Sequence, residues 1–185
     1  MSDTGIRVNM SAQEGKSTTQ GEPLPSGLFR MAITNCSLEK VKNPPQPGKK
    51  DNRGKPMFVI ELTVQDGDYE DRPAWTNVML FDGALYSISQ MLKAQGVEVK
   101  EVGDAAEFQV PGFEKNEVPG PEWWLSKQFV CRLKRIGARK VGDKEYDPRA
   151  EVKGFLSVKD WNPDRSPKKA QQAAGMAKAK SSVLP

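Results

Sequence analysis

Residues 57–81 read MFVIELTVQDGDYEDRPAWTNVMLF, and their periodicity decides the fold. Phe58, Ile60, Leu62 and Val64 alternate with Met57, Val59, Glu61 and Thr63, the period of two expected of a half-buried strand. DGDYEDRP then turns the chain, with Gly67 able to take the positive backbone angle of a tight connection. In the returning run Thr76, Val78 and Leu80 share one side, and Trp75, Asn77, Met79 and Phe81 the other. One side must face a core, so the other offers a large aromatic to solvent or ligand.

Upstream, GLFRMAITNCSLEKV from Gly27 to Val41 reads as a long first strand. Its apolar face runs through Phe29, Met31 and Ile33 and then shifts to Cys36 and Leu38, a slip of one residue that a β-bulge explains. KNPPQPGKKDNRGKP follows, a basic loop broken by prolines and glycines. Downstream, Asp82 can cap a helix over 83–95, with Leu85, Ile88, Met91 and Leu92 on one stripe and Gly96 ending it. The stretch 97–126 is acidic and interrupted by Pro111, Pro119 and Pro121; Trp123 and Trp124 read as its packing anchor rather than as a base-stacking platform, because acidic surroundings repel phosphate.

KQFVCRLKRI, 127–136, alternates Phe129, Cys131 and Leu133 inward with Val130, Arg132 and Lys134 outward. GARKVGDKEYDPR is a second basic loop, and AEVKGFLSVKDW a fifth strand with Val152, Leu156 and Val158 inward and Lys153, Phe155 and Ser157 outward. The order is strand, strand, strand, helix, strand, strand. That predicts an all-β domain with one helix, a five-stranded OB-fold barrel whose first and last hairpin loops are the usual places for oligonucleotides. The expected organisation is a flexible arm over 1–25, the OB domain over 26–161 and a flexible basic tail over 162–185, since both ends lack the apolar content to offset ordering entropy.

Charge is segregated behind a net +4. Six basic residues face one acidic between Lys40 and Lys55, four face thirteen between Glu61 and Ser126, and fifteen face six from Lys127 onward. Such asymmetry suggests a polyanion-binding face backed by an acidic one. Catalytic chemistry is harder to build. The chain has no histidine, which excludes Ser-His-Asp and Cys-His mechanisms, and its two cysteines lack the spacing of a zinc site. No phosphate-cradling glycine motif occurs, so neither an enzyme nor a cofactor is expected. Cys36 and Cys131 read as two buried thiols, although neighbouring first and fourth strands leave a disulfide conceivable. With no run of roughly 20 apolar residues and no secretory leader pattern, a cytoplasmic protein away from membranes is expected.

A groove lined by Lys and Arg with a few aromatics captures single strands without reading sequence. The candidate contacts are Lys42, Lys49, Lys50, Arg53 and Lys55 in the first loop, Arg132, Lys134 and Arg135 on the fourth strand, Arg139, Lys140 and Lys144 in the second loop, and Lys153 on the fifth strand. Candidate stacking residues are Trp75, Tyr146 and Phe155, with Tyr69 weaker.

PSGLFRMAI, GKPMFVIELTVQDGDYEDRPAW, MLKAQG, SKQFVCRLKRI and EVKGFLSV together resemble bacteriophage single-stranded DNA-binding proteins with an OB fold, over about Pro25 to Lys159. The motifs are a D/E-G-x-Y-x-x-R hairpin, here Asp66, Gly67, Tyr69 and Arg72, and a Leu-x-Ala-x-Gly helix end, here Leu92, Ala94 and Gly96. The resemblance implies protection of DNA intermediates in phage replication or recombination, in a host cytoplasm, with single-stranded DNA and replication or recombination proteins as partners and self-association left open. One departure is the tail: it carries Lys168, Lys169, Lys178 and Lys180 where cellular single-strand binders commonly end in an acidic tip, so added nonspecific affinity replaces recruitment as its expected role. Two other readings stay open: a protein-interaction or virion-assembly module docking a basic partner on the acidic connection, and a magnesium-dependent nuclease using Asp66, Asp68 and Asp71.

Overall fold

The structure, a computed structural model, describes residues 22–42, 50–81, 84–102, 105–141 and 144–168, with backbone only at 102, 105, 139, 141, 144–146 and 160. The expectations for 1–21 and 169–185 therefore lie outside the described residues.

A five-stranded antiparallel sheet dominates. Strands β1 (Gly27–Lys40), β2 (Pro56–Val64), β3 (Pro73–Met79), β6 (Gln128–Ile136) and β9 (Arg149–Leu156) lie in the order β3-β2-β1-β6-β9. Helix α1 (Tyr86–Ala94) follows β3, and the long connection to β6 holds a hairpin of β4 (Val99–Val102) and β5 (Ala105–Phe108) and a single turn, α2 (Pro121–Trp124). The second basic loop is a small ribbon of β7 (Arg139–Val141) and β8 (Lys144–Tyr146).

β1 serves two partners. Its residues 27–32 pair with β6 and its residues 31–40 with β2, and the β2 register slips by one between Ile33 and Asn35. Thr34 is the extra residue, its Oγ1 3.4 Å from the Glu61 carbonyl and 3.2 Å from Thr63 Oγ1. The phase slip read from the sequence is this bulge. It keeps Phe29, Met31 and Ile33 in the core and returns Cys36 there, while Leu38, expected inside, stands 58% exposed near the strand's end. β2 behaves as its alternation demands, with Phe58, Ile60, Leu62 and Val64 all buried.

The expected barrel is not closed. β3 and β9 approach within 8 Å at Cα, yet no ladder joins them. α1 packs against both strands, and Gln90 Oε1 accepts from the Phe155 amide at 3.2 Å, so a side chain satisfies an edge group that a strand would otherwise take. The helix is shorter than the sequence suggests. Its N-cap is Leu85, without a side-chain cap, and residues 82–83 are not described; Gly96 at φ 83° ends it as expected. Ile88, Met91 and Leu92 are fully buried.

A second bulge corrects the fifth strand. Arg132 faces Gly154 but Leu133 faces Val152, leaving Lys153 over and inverting the alternation beyond it. Phe155, expected to point out as a stacking residue, is 4% exposed and meets Phe129 edge-on at 5.4 Å. Leu156 and Val158, expected inside, are each 37% exposed. Tyr69 is likewise core, 5.9 Å from Phe29.

Trp124 anchors the connection as its sequence suggests: fully buried, it donates from Nε1 to the Pro119 carbonyl at 3.0 Å and stacks edge-on with Trp123 and Phe58. Cys36 and Cys131 are free and buried, one opposite Ile60 and the other opposite Phe29, in different halves of the sheet. Burial pushes the Cys36 thiol up to about 11 and Cys131 higher still. Packing extends past 26–161 on both sides. Leu24 and Pro25 are buried, and Pro167 lies so close to Gly27 that a Cβ there would collide with its ring.

Phe155→Ala is expected to lower folding stability by about 3–5 kcal/mol, the usual cost of emptying a buried aromatic site. A urea midpoint measures this; an unshifted midpoint would return Phe155 to the surface.

Candidate nucleic-acid interface

β3 lies between the two basic loops. Ala74 and Val78 are buried with Thr76 on their side, so Trp75 and Asn77 turn outward and Trp75 is 53% exposed. Glu61 stands opposite Trp75 on β2, with Thr63, Val59 and Asn77 on the same outer face. A flat aromatic on a polar strand face, flanked rather than surrounded by charge, can stack on a base.

The first loop is fastened to the C-terminal end of β3. Leu80 donates its amide to the Pro56 carbonyl at 3.1 Å, and Lys55 Nζ sits 4.5 Å from the Phe81 ring centroid. Lys42 meets Glu39 at 3.3 Å. Arg53 folds back on Asp51 at 2.6 Å, and that hydrogen bond holds the Asp51 carboxyl below its ordinary value and the guanidinium above. Lys50 is exposed and makes no ion pair among the described residues.

At the other end of β3, two guanidiniums converge on one residue. Arg72 Nη2 donates to the Glu22 carbonyl, and Arg135 Nη2 to Glu22 Oε1 at 3.0 Å, while the Arg135 amide donates to Ser26 Oγ at 2.9 Å. Arg72 precedes β3 and Arg135 is the penultimate residue of β6, so this contact draws the root of the β7–β8 ribbon to the start of β3. Burial, reinforced by Asp68 and Glu22, pushes the adjacent Tyr69 phenol up against the opposing pull of Arg72 and Arg135.

A third group lies on the outer faces of β6 and β9. Arg132 and Lys134 are exposed and form no ion pair among the described residues. Beside them Glu151 binds Lys153 at 2.5 Å and Arg149 at 2.6 Å, and these two bonds lower its carboxyl to about 2.

The candidates therefore do not form one trough at one end of the sheet. The ladders set the two loops at opposite ends of β1: the first leaves at Lys40, while β6 ends beyond Leu133, the partner of Gly27. Between their roots lies β3, roughly 20 Å long at about 3.3 Å per residue. Lys49 lies outside the described residues, as do the side chains of Arg139, Lys144 and Tyr146; Lys140 is exposed on the ribbon. Sequence reasoning missed Arg72 and Glu22 as parts of this surface. Arg72 was visible within the turn motif, whereas nothing local ties Glu22 to a residue over a hundred positions away.

Two shallow depressions lie elsewhere. One, of about 440 Å³, is lined by Ala32, Thr34, Gln65, Leu125 and Gln128; the other, of about 370 Å³, lies between α1 and the end of β9, beside Tyr86 and Leu156. Neither gathers the candidate cations. Asp66 Oδ2 accepts from Trp161 Nε1 at 3.1 Å and faces Arg30 at 3.5 Å, and among the described residues no three His, Cys, Asp or Glu side chains are grouped to hold a metal ion. No helix among the described residues is long and apolar enough to cross a membrane.

No protein-family model and no curated protein matches this chain.

Because Glu151 titrates below its ordinary 4.5, the stability its clamp supplies is complete above about pH 4.5 and is lost as pH falls toward 2. Denaturant midpoints taken from pH 6 down to about 2 should show that Glu151→Gln has lost this part of the acid dependence.

Proposed function

We propose that this chain is a non-catalytic, sequence-tolerant single-stranded DNA-binding protein, its curled sheet being an OB barrel in which α1 stands between the third and fifth strands. The observation that carries the reading is the exposed Trp75 on β3 with a basic loop rooted at each end of that strand. A flexible polyanion crossing β3 meets cations before and after a stacking platform. Stacking on Trp75 tolerates every base, so the platform by itself reads no sequence. The strand order also supports the barrel reading, since closing β3 against β9 would complete it with the helix at the seam. The resemblance to phage single-strand binders extends the proposal to protection of DNA intermediates in replication or recombination within a host cytoplasm.

Affinity for a fluorescein-labelled oligonucleotide should fall linearly in log-log form with salt, each phosphate contact contributing a slope of about −0.7. Lys50→Glu and Arg132→Glu should weaken binding on every sequence tested, and duplex DNA should bind less well than single strands. Binding indifferent to salt would end this reading. Trp75→Ala should cost about 1–3 kcal/mol of binding free energy, the worth of one base stack, and leave the thermal midpoint almost unchanged.

A further inference from the structure

We infer that Arg72 and Arg135 form a phosphodiester subsite at the start of β3, and that Glu22 occupies it in the free protein. The inference rests on the single-strand-binding reading above and adds a residue that competes with the ligand. Two guanidiniums from segments far apart in sequence meet at one exposed residue, Arg135 at its carboxylate and Arg72 at its backbone carbonyl, and an anion between them offsets the repulsion of like charges. Here Arg135 is about a quarter exposed and spends a charge-assisted hydrogen bond on a carboxylate that is itself 63% exposed. Arg72 reaches the carbonyl of the same residue.

The placement is what gives this contact a role beyond fastening the chain. It sits where β2 turns into β3, at the head of the face carrying Trp75, and where the β7–β8 ribbon is rooted. A strand running along β3 from the first loop reaches this pair last. Guanidiniums suit phosphate oxygens as they suit carboxylates, so a backbone phosphate can replace the Glu22 carboxylate on Arg135, with the Arg72 guanidinium at the same residue. The residue it displaces is not deeply held. Glu22 has no other ion pair among the described residues, and its anchor to the core comes through the buried Leu24 and Pro25 that follow it.

Competition has a salt signature. A phosphate that displaces Glu22 returns a carboxylate to solvent, so the net charge neutralised in binding is one less than the contacts made. Removing the carboxylate restores it.

The test is a titration of the full chain with a labelled oligothymidylate at several salt concentrations. Glu22→Gln should bind about two- to fivefold tighter at low salt, the worth of one exposed ion pair. Its log-log salt slope should steepen by about 0.7. Glu70→Gln, an exposed carboxylate on the same turn, controls for a simple change in net charge and should show a smaller gain. In an Arg135→Gln background Glu22→Gln should give no gain. Equal gains from Glu22→Gln and Glu70→Gln, or a gain that survives loss of Arg135, overturn the inference while leaving the binding function intact. A Glu22→Gln chain that binds more weakly makes Glu22 a structural fastener and overturns it as well. No binding by wild type or either variant overturns the function on which the inference rests.

Discussion

One strand hydrogen-bonds to two neighbours over different halves of its length, and the remaining geometry depends on how it does so. β1 meets β6 through residues 27–32 and β2 through 31–40, and Thr34 is the surplus residue at the changeover. A bulge increases local twist and bends its strand. Without it the one-residue slip would carry either Phe29, Met31 and Ile33 or Cys36 out of the core, since every side chain beyond a slip changes face. With it, the two halves of the sheet are displaced along β1 and curl until β3 nears β9.

That curl creates a seam, and the seam is filled by a helix rather than by a ladder. Gln90 accepts from Phe155, and Gly154 leaves the room for it: a Cβ there would stand 3.3 Å from Gln90 Oε1. The second bulge, at Lys153, turns Phe155 inward to meet Phe129 just where α1 closes over the core. Two surplus residues therefore account for much of the shape of the molecule, one bending β1 and the other fitting β9 to the helix.

Among the described residues, several of the surface's charges are already paired. Arg53, Lys153, Arg149 and Arg135 each meet a carboxylate, and Lys55 lies over Phe81. Exposed pairs of this kind are weak, so a polyphosphate can exchange for them at modest cost. A count of basic residues overstates the free positive charge, while the pairs themselves show which anion geometry each cation accepts.

Local pattern was enough for β2, for the first half of β1 and its bulge, for the Gly67 turn and for Trp124 as an anchor, because each depends on alternation or turn chemistry within a few residues. Trp75 was legible as outward-facing for the same reason. Phe155 was not, because the Lys153 bulge is set by pairing with β6, and its one local mark, the isolated Gly154 within β9, was passed over. The β4–β5 hairpin was missed although its stretch alternates, Val97 and Val99 with Glu98 and Lys100, then Ala106, Phe108 and Val110 with Glu107 and Gln109. The convergence of Arg72 and Arg135 on Glu22 joins positions fifty and a hundred and thirteen residues apart, and the position of the two loop roots along β3 depends on ladder register. Side-chain periodicity is written into the chain one residue at a time; which strand lies beside which, and what a surplus residue does to the face, is decided only when backbone groups choose partners in three dimensions.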